Sequence, residues 1–113
     1  MDGEISAADL HTALENGEDV EIVDIRDPGS FEKGHIPESK NLPFAELPQR
    51  VEELEGTDHI VTVCPLGKSS IKAARLIGSY EGIEGPVESL NGGLRGWEYE
   101  LTGAAADSGN APF

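Results

Sequence analysis

At 113 residues the chain is below the ~150 residues of a typical domain, which excludes a second core and leaves one folded unit. Hydrophobic residues make up 37% and charged residues 27%, and the aliphatic runs at 20–25 and 59–64 exclude wholesale disorder. With 8 basic against 22 acidic residues the net charge is −14, which excludes nucleic acid and anionic lipid as favoured partners.

Near the start of the chain, Ser6 precedes Ala7-Ala8-Asp9 and is bracketed by Ile5 and Leu10. A hydroxyl cap with an acid three residues on, inside an apolar staple, predicts a helix starting at Ala7. Ala7, Leu10 and Leu14 carry its apolar face until Asn16-Gly17 stops it. The run at 20–25 is rich in β-branched residues and predicts a buried strand, with Asp24 near its carboxyl end. Asp27-Pro28-Gly29 predicts a turn or a helix start, and Phe31-Glu32-Lys33-Gly34 a short helical turn closed by Gly, in a connection with little regular structure. His35-Ile36-Pro37 is expected to be extended.

Asn41-Leu42-Pro43 predicts a very short strand, and Leu47, Val51 and Leu54 one face of a helix opened by Pro48 and ended by Gly56. The run at 59–64 predicts the strongest strand, ending at Cys64 in front of a Pro-Leu-Gly turn. Between Ser69 and Tyr80, Ala73, Leu76, Ile77 and Tyr80 predict the apolar face of an amphipathic helix, with Lys72, Arg75 and Ser79 outside and Gly82 as its cap. Positions 86–90 predict a last strand, Asn91-Gly92-Gly93 a tight turn, and Leu94, Trp97 and Leu101 one face of a closing helix. The domain is thus expected over 1–101, with a flexible tail at 102–113 that is poor in bulky side chains.

Strands alternating with helices predict an α/β fold: an open, mainly parallel sheet with helices on both faces. Ligands of such folds bind at strand carboxyl ends, which is where Cys64 stands. As the sole cysteine it excludes an intramolecular disulfide and a cysteine-based zinc site, and His11, His35 and His59 form no ligand motif, so no metal is expected. Gly67 permits the positive φ needed to curl a short loop beneath the thiol, and the amides of 65–70 then converge on the sulfur at a helix N-terminus. Lys68 adds a positive charge beside it. Such surroundings lower a thiol pKa, so Cys64 is expected to be a nucleophile. An inert buried thiol would not need the glycine turn, the lysine and the Ser-Ser helix start.

The segment Cys64-Pro65-Leu66-Gly67-Lys68-Ser69-Ser70 resembles the C-x-x-G-x-x-S active-site loop of the rhodanese family. Val23-Asp24-Ile25-Arg26, with Phe31 and Gly34-His35-Ile36-Pro37, is similar to the family's upstream signature. Leu90-Asn91-Gly92-Gly93-Leu94-Arg95-Gly96-Trp97 is similar to its C-terminal one. The resemblance implies a rhodanese-like fold and a thiosulfate:cyanide-type sulfurtransferase. Cys64 would take sulfane sulfur from a small anionic donor such as thiosulfate and carry it as a persulfide to a thiol or protein acceptor. Pro65, Leu66, Gly67, Lys68, Ser69 and Ser70 would hold the substrate, and no cofactor is implied. Many rhodanese loops place an Arg before the final Ser; here that position is Ser69, which leaves Lys68 as the cation of the loop.

Asp24 is expected to be buried near the loop as scaffold, with Arg26 pairing acids of the following segment. His35 is expected to be a structural hydrogen-bonding group, and Trp97 a core residue. Two alternatives stand beside the enzyme. One is a rhodanese-like sulfur carrier or binding module with little thiosulfate turnover. The other is a phosphatase or arsenate reductase of C-x5-R type, which would need an Arg where Ser70 stands.

No apolar run reaches the roughly 18 residues that span a bilayer, and MDGEISAADL lacks the basic and apolar regions of a leader. A cytoplasmic monomer that binds no membrane is therefore expected. The dispersed acids and few lysines (Lys33, Lys40, Lys68, Lys72) suit high salt and suggest a halophilic source.

Overall fold

Successive strand residues face opposite sides of a sheet, and here both sides are buried, which explains why the strands read as continuous apolar runs. The computed structural model describes residues 3–103. Its strands are β1 (Glu4–Ile5), β2 (Glu21–Asp24), β3 (Lys40–Asn41), β4 (Ile60–Val63) and β5 (Val87–Leu90). They form one parallel sheet in the order β1-β5-β4-β2-β3, with β4 at the centre. Ile22, Val61, Val63 and Leu90 pack on one face with Leu10 of helix α1 (Ala7–Glu15). Val23, Ile60, Cys64 and Val87 pack on the other face, against α3 (Leu47–Arg50) and α4 (Ser69–Gly78). The expected α/β sheet with helices on both faces is thus the observed fold.

The local signals account for several element ends. Ser6 caps α1, its hydroxyl accepting from the Asp9 amide at 3.0 Å, and the helix stops at Asn16 before Gly17 at φ +75°. In the connection after β2, the helix start expected at Asp27-Pro28-Gly29 and the helical turn closed by Gly34 join into one six-residue helix, α2 (Pro28–Lys33), with Pro28 presetting the helical φ of its first turn. β1 was not expected at all. At two residues it carries no periodicity, and it exists because the Ser89 amide donates to the Gly3 carbonyl and the Asn91 amide to the Ile5 carbonyl.

Three helices differ from expectation. The single helix predicted around Leu47, Val51 and Leu54 is a composite: a 3-10 turn at Phe44–Glu46, then α3, then a second 3-10 turn at Val51–Leu54. An α spacing from 47 to 51 followed by a 3-10 spacing from 51 to 54 still buries all three side chains. α4 buries Ser70, Ala73, Ala74 and Ile77, while Leu76, expected inside, is 37% exposed. Its rotation is set at its first turn, where the Thr62 hydroxyl donates to the Ser70 carbonyl at 2.7 Å and turns Ser70 toward the sheet. The helix also ends at Gly78 with Ser79 as its cap, short of Gly82.

The closing helix predicted on Leu94, Trp97 and Leu101 does not form; only a 3-10 turn at Leu94–Gly96 is present. Trp97 is extended and buried, and Leu101 is 38% exposed. The Leu94 and Arg95 amides donate to the carbonyls of Cys64 and Pro65, which tethers this segment to the loop. Of the expected tail, Thr102 exchanges backbone hydrogen bonds with His35, and 104–113 lie outside the described residues. No helix among the described residues is long and apolar enough to cross a membrane.

Candidate active site

Cys64 immediately follows β4, and Ser69 begins α4, so the chain has four residues in which to turn from sheet to helix. Gly67 makes that turn at φ +86°, as its sequence position implies. The turn brings the Gly67 amide to 3.1 Å and the Ser70 amide to 3.3 Å from Cys64 Sγ. Lys68, at the cap position of α4, provides no side-chain cap. The sulfur itself accepts one of the amides that every helix N-terminus leaves unpaired.

Beneath the sulfur lies a short chain of hydroxyls. Cys64 Sγ and Ser70 Oγ are 3.3 Å apart, and Ser70 Oγ and Ser89 Oγ 2.6 Å apart, all of them buried. The hydroxyl protons rotate to suit the sulfur's charge. A thiol donates to Ser70, whereas a thiolate accepts from Ser70, which then accepts from Ser89. Burial pushes the Cys64 pKa up, but the Ser70 hydroxyl and the amides of Ser70, Gly67 and Leu66 outweigh it and hold the thiol below its usual range. Ser89 lies on β5, nineteen positions from Ser70 in sequence, and no spacing pattern could have marked it.

The lowered pKa has two consequences of definite sign. The native state gains stability above the pKa of a free thiol, about 8.5, and loses it as pH falls through the folded value. Alkylation by iodoacetamide should therefore be half-maximal at lower pH than for a free thiol. In Ser70→Ala the alkylation midpoint should move to higher pH, and the rate at pH 7 should fall about tenfold, since one hydrogen bond to a charged group is lost. An unchanged pH profile in that variant would remove Ser70 from thiolate stabilisation.

The turn after β5 closes over the loop. Gly93, at φ +60°, sits where a Cβ would overlap the Cys64 carbonyl oxygen and lie 2.6 Å from both the Gly67 nitrogen and the Pro65 carbonyl carbon. A Cβ on Gly67 would meet the Gly92 nitrogen at 2.9 Å and the Gly93 nitrogen at 3.1 Å. The glycine pair read from the sequence as a tight turn therefore also allows two backbone segments to touch.

Asp24 is buried, as expected, but Arg26 does not pair with acids further along the chain. Its guanidinium turns back onto Asp24, with Nε 2.9 Å from Oδ1 and Nη2 2.8 Å from Oδ2, and Nη2 also donates to the Gly34 carbonyl at 2.7 Å. A carboxylate 1% exposed needs its countercharge close at hand, and Arg26 supplies it from two residues away. His35 holds the neighbouring segment by its Nδ1 contact to the Phe31 carbonyl at 2.7 Å and by stacking on the Phe31 ring.

Above the sulfur is an open recess of about 290 Å³ lined by Ile25, Arg26, Asp27, Ser30, Phe44, Cys64, Pro65 and Ser69. Gly67 and Ser70 are buried under the loop, and Leu66 and Lys68 are exposed beside the recess without lining it. Ser70, bonded to the sulfur, occupies the place where a C-x5-R loop would carry its Arg. A separate recess of about 460 Å³, lined by residues such as His11, Glu18 and Tyr99, contains none of the loop residues.

Comparison with known proteins agrees with the geometry. The rhodanese-like domain model matches residues 6–100. The thiosulfate sulfurtransferase GlpE of Pseudoalteromonas translucida is 43% identical over 81 residues, 72% of this chain and 75% of that one. A sulfurtransferase of Allochromatium vinosum is 34% identical over 97 residues, 86% of this chain and 89% of the relative. Among solved structures, the rhodanese-like domain of an Anabaena protein superposes with a TM-score of 0.83 at 25% identity, covering 100% of this chain and 88% of that one. With the match running from the cap of α1 to the segment that closes over the loop, the chain belongs to the rhodanese-like domain family.

Proposed function

We propose that the protein is a sulfurtransferase that carries sulfane sulfur as a persulfide on Cys64. The observation that carries this reading is the sulfur's position under two amides and a hydroxyl at the start of α4, in an arrangement that favours the thiolate. The Cys64 thiolate attacks the outer sulfur of a donor such as thiosulfate. A bond forms between Sγ and that sulfur, the S–S bond of the donor breaks, and sulfite departs with the bonding pair. In the second half-reaction a thiol or cyanide attacks the outer sulfur and Cys64 leaves as the thiolate. The amides of Lys68 and Ser69, which have no acceptor among the described residues, are available to the outer sulfur of the persulfide. Asp24 and Arg26 act as scaffold, holding the end of β2 beside the loop.

A two-step exchange of this kind gives parallel double-reciprocal plots when thiosulfate and cyanide are varied. Intersecting plots, requiring both substrates bound together, would contradict a persulfide intermediate. Lys68 tests the part played by charge. In a protein of net charge −14, Lys68→Ala should raise KM for thiosulfate about threefold while transfer to a neutral thiol changes little, and Lys68→Glu should be worse. Both half-reactions need one fixed ionic strength, because salt screens the lysine and the acidic surface together. An unchanged KM in Lys68→Glu would leave the amides as the groups that hold the anion.

A further inference from the structure

The recess that leads to Cys64 has an unusual balance of charge and apolar surface. Ile25, Phe44 and Pro65 form apolar walls, and Phe44 remains 39% exposed at the rim. The one cationic side chain in the lining is Arg26, whose Nε and Nη2 are held by Asp24 and the Gly34 carbonyl. Next to it in the chain and also in the lining, Asp27 presents an exposed carboxylate that the neighbouring Ser30 and Arg26 hold below its usual pKa range. A donor thus approaches a thiolate past a second negative charge, with no unpaired cation in the lining to offset it.

We propose that Asp27 and Phe44 select the sulfur donor, favouring an organic persulfide with an apolar substituent over a dianion such as thiosulfate. The inference rests on the reading of Cys64 as the sulfur carrier. A persulfide brings at most one negative charge past Asp27, and its substituent removes apolar surface from water against Phe44 and Pro65. In the transfer, the thiolate attacks the terminal sulfur of R–S–SH. The Sγ–S bond forms, the bond between the two donor sulfurs breaks, and R–S⁻ leaves with the electron pair. The proton stays on the transferred sulfur, so charge and oxidation state balance without another reactant.

The test compares the rates of Cys64 persulfidation by thiosulfate and by benzyl persulfide in the full chain at low ionic strength. Asp27→Asn should raise the thiosulfate rate about fivefold and the benzyl persulfide rate less than twofold, and molar salt should erase the difference. Phe44→Ser should lower the benzyl persulfide rate about fivefold, through lost apolar contact, and leave the thiosulfate rate within twofold. Because both side chains are partly exposed, folding is checked by an unchanged melting temperature, and either variant alone keeps the comparison informative. If neither substitution moves the ratio of the two rates by more than twofold, donor selection by these residues is overturned while sulfur carriage stands. If neither donor modifies wild-type Cys64, the carrier reading falls, and the proposal with it.

Discussion

Cys64→Ser should abolish sulfur transfer, with thiocyanate formation from thiosulfate and cyanide falling to the uncatalysed background. A hydroxyl cannot accept sulfane sulfur from a donor, and Cys64 is the only thiol in the chain, so no neighbour can substitute. The fold should survive. Serine fills nearly the same volume, and its hydroxyl can take the amides of Gly67 and Ser70 that the sulfur now accepts. The expected loss of stability is about 1 kcal/mol. A folded variant with wild-type turnover would remove Cys64 from the mechanism.

Gly93→Ala should be nearly as damaging, although Gly93 touches no substrate in the proposed reaction. Its new methyl would overlap the Cys64 carbonyl and crowd the Gly67 amide, all of them backbone atoms that can yield only if the loop moves. Displacing reactive groups by about 1 Å costs on the order of a hundredfold in rate, and the left-handed φ adds about 1–3 kcal/mol of strain. Gly67→Val should behave likewise, with a β-branched side chain at φ +86° against the Gly92 and Gly93 amides. Gly56→Ala is the control. It shares a positive φ, +85°, but its Cβ would meet nothing within 4 Å, so it should cost some stability and leave transfer intact. Equal activity in Gly93→Ala and Gly56→Ala would show that contact between the two turns does not position the thiol.

Features that rest on near neighbours are legible in the sequence itself. The Ser6 cap, the strand leading to Cys64, the positive φ at Gly67 and the helix after it each depend on a few adjacent residues. What was missed depends on contacts between distant segments. Ser89 joins the site through the pairing of β4 and β5, and Gly93 through the close approach of two turns. The closing helix is absent from a segment that the Leu94 and Arg95 amides tie to the carbonyls of Cys64 and Pro65, a contact between distant parts of the chain. Leu76 was assigned to the core because periodicity gives the spacing of an apolar face but not its direction, which the bond from Thr62 to Ser70 sets. Arg26, expected to pair with later acids, instead meets the buried carboxylate two residues earlier, the one most in need of it.

The central claim is that sulfur resides covalently on Cys64 between donor and acceptor. Intact mass spectrometry of the wild-type chain after incubation with excess donor, thiosulfate or benzyl persulfide, and rapid desalting tests it most directly. The account predicts a single added sulfur atom that maps to the peptide containing Cys64, is removed by cyanide or dithiothreitol, and is absent from Cys64→Ser. A chain that turns over donor to acceptor while its mass stays unmodified throughout would contradict it.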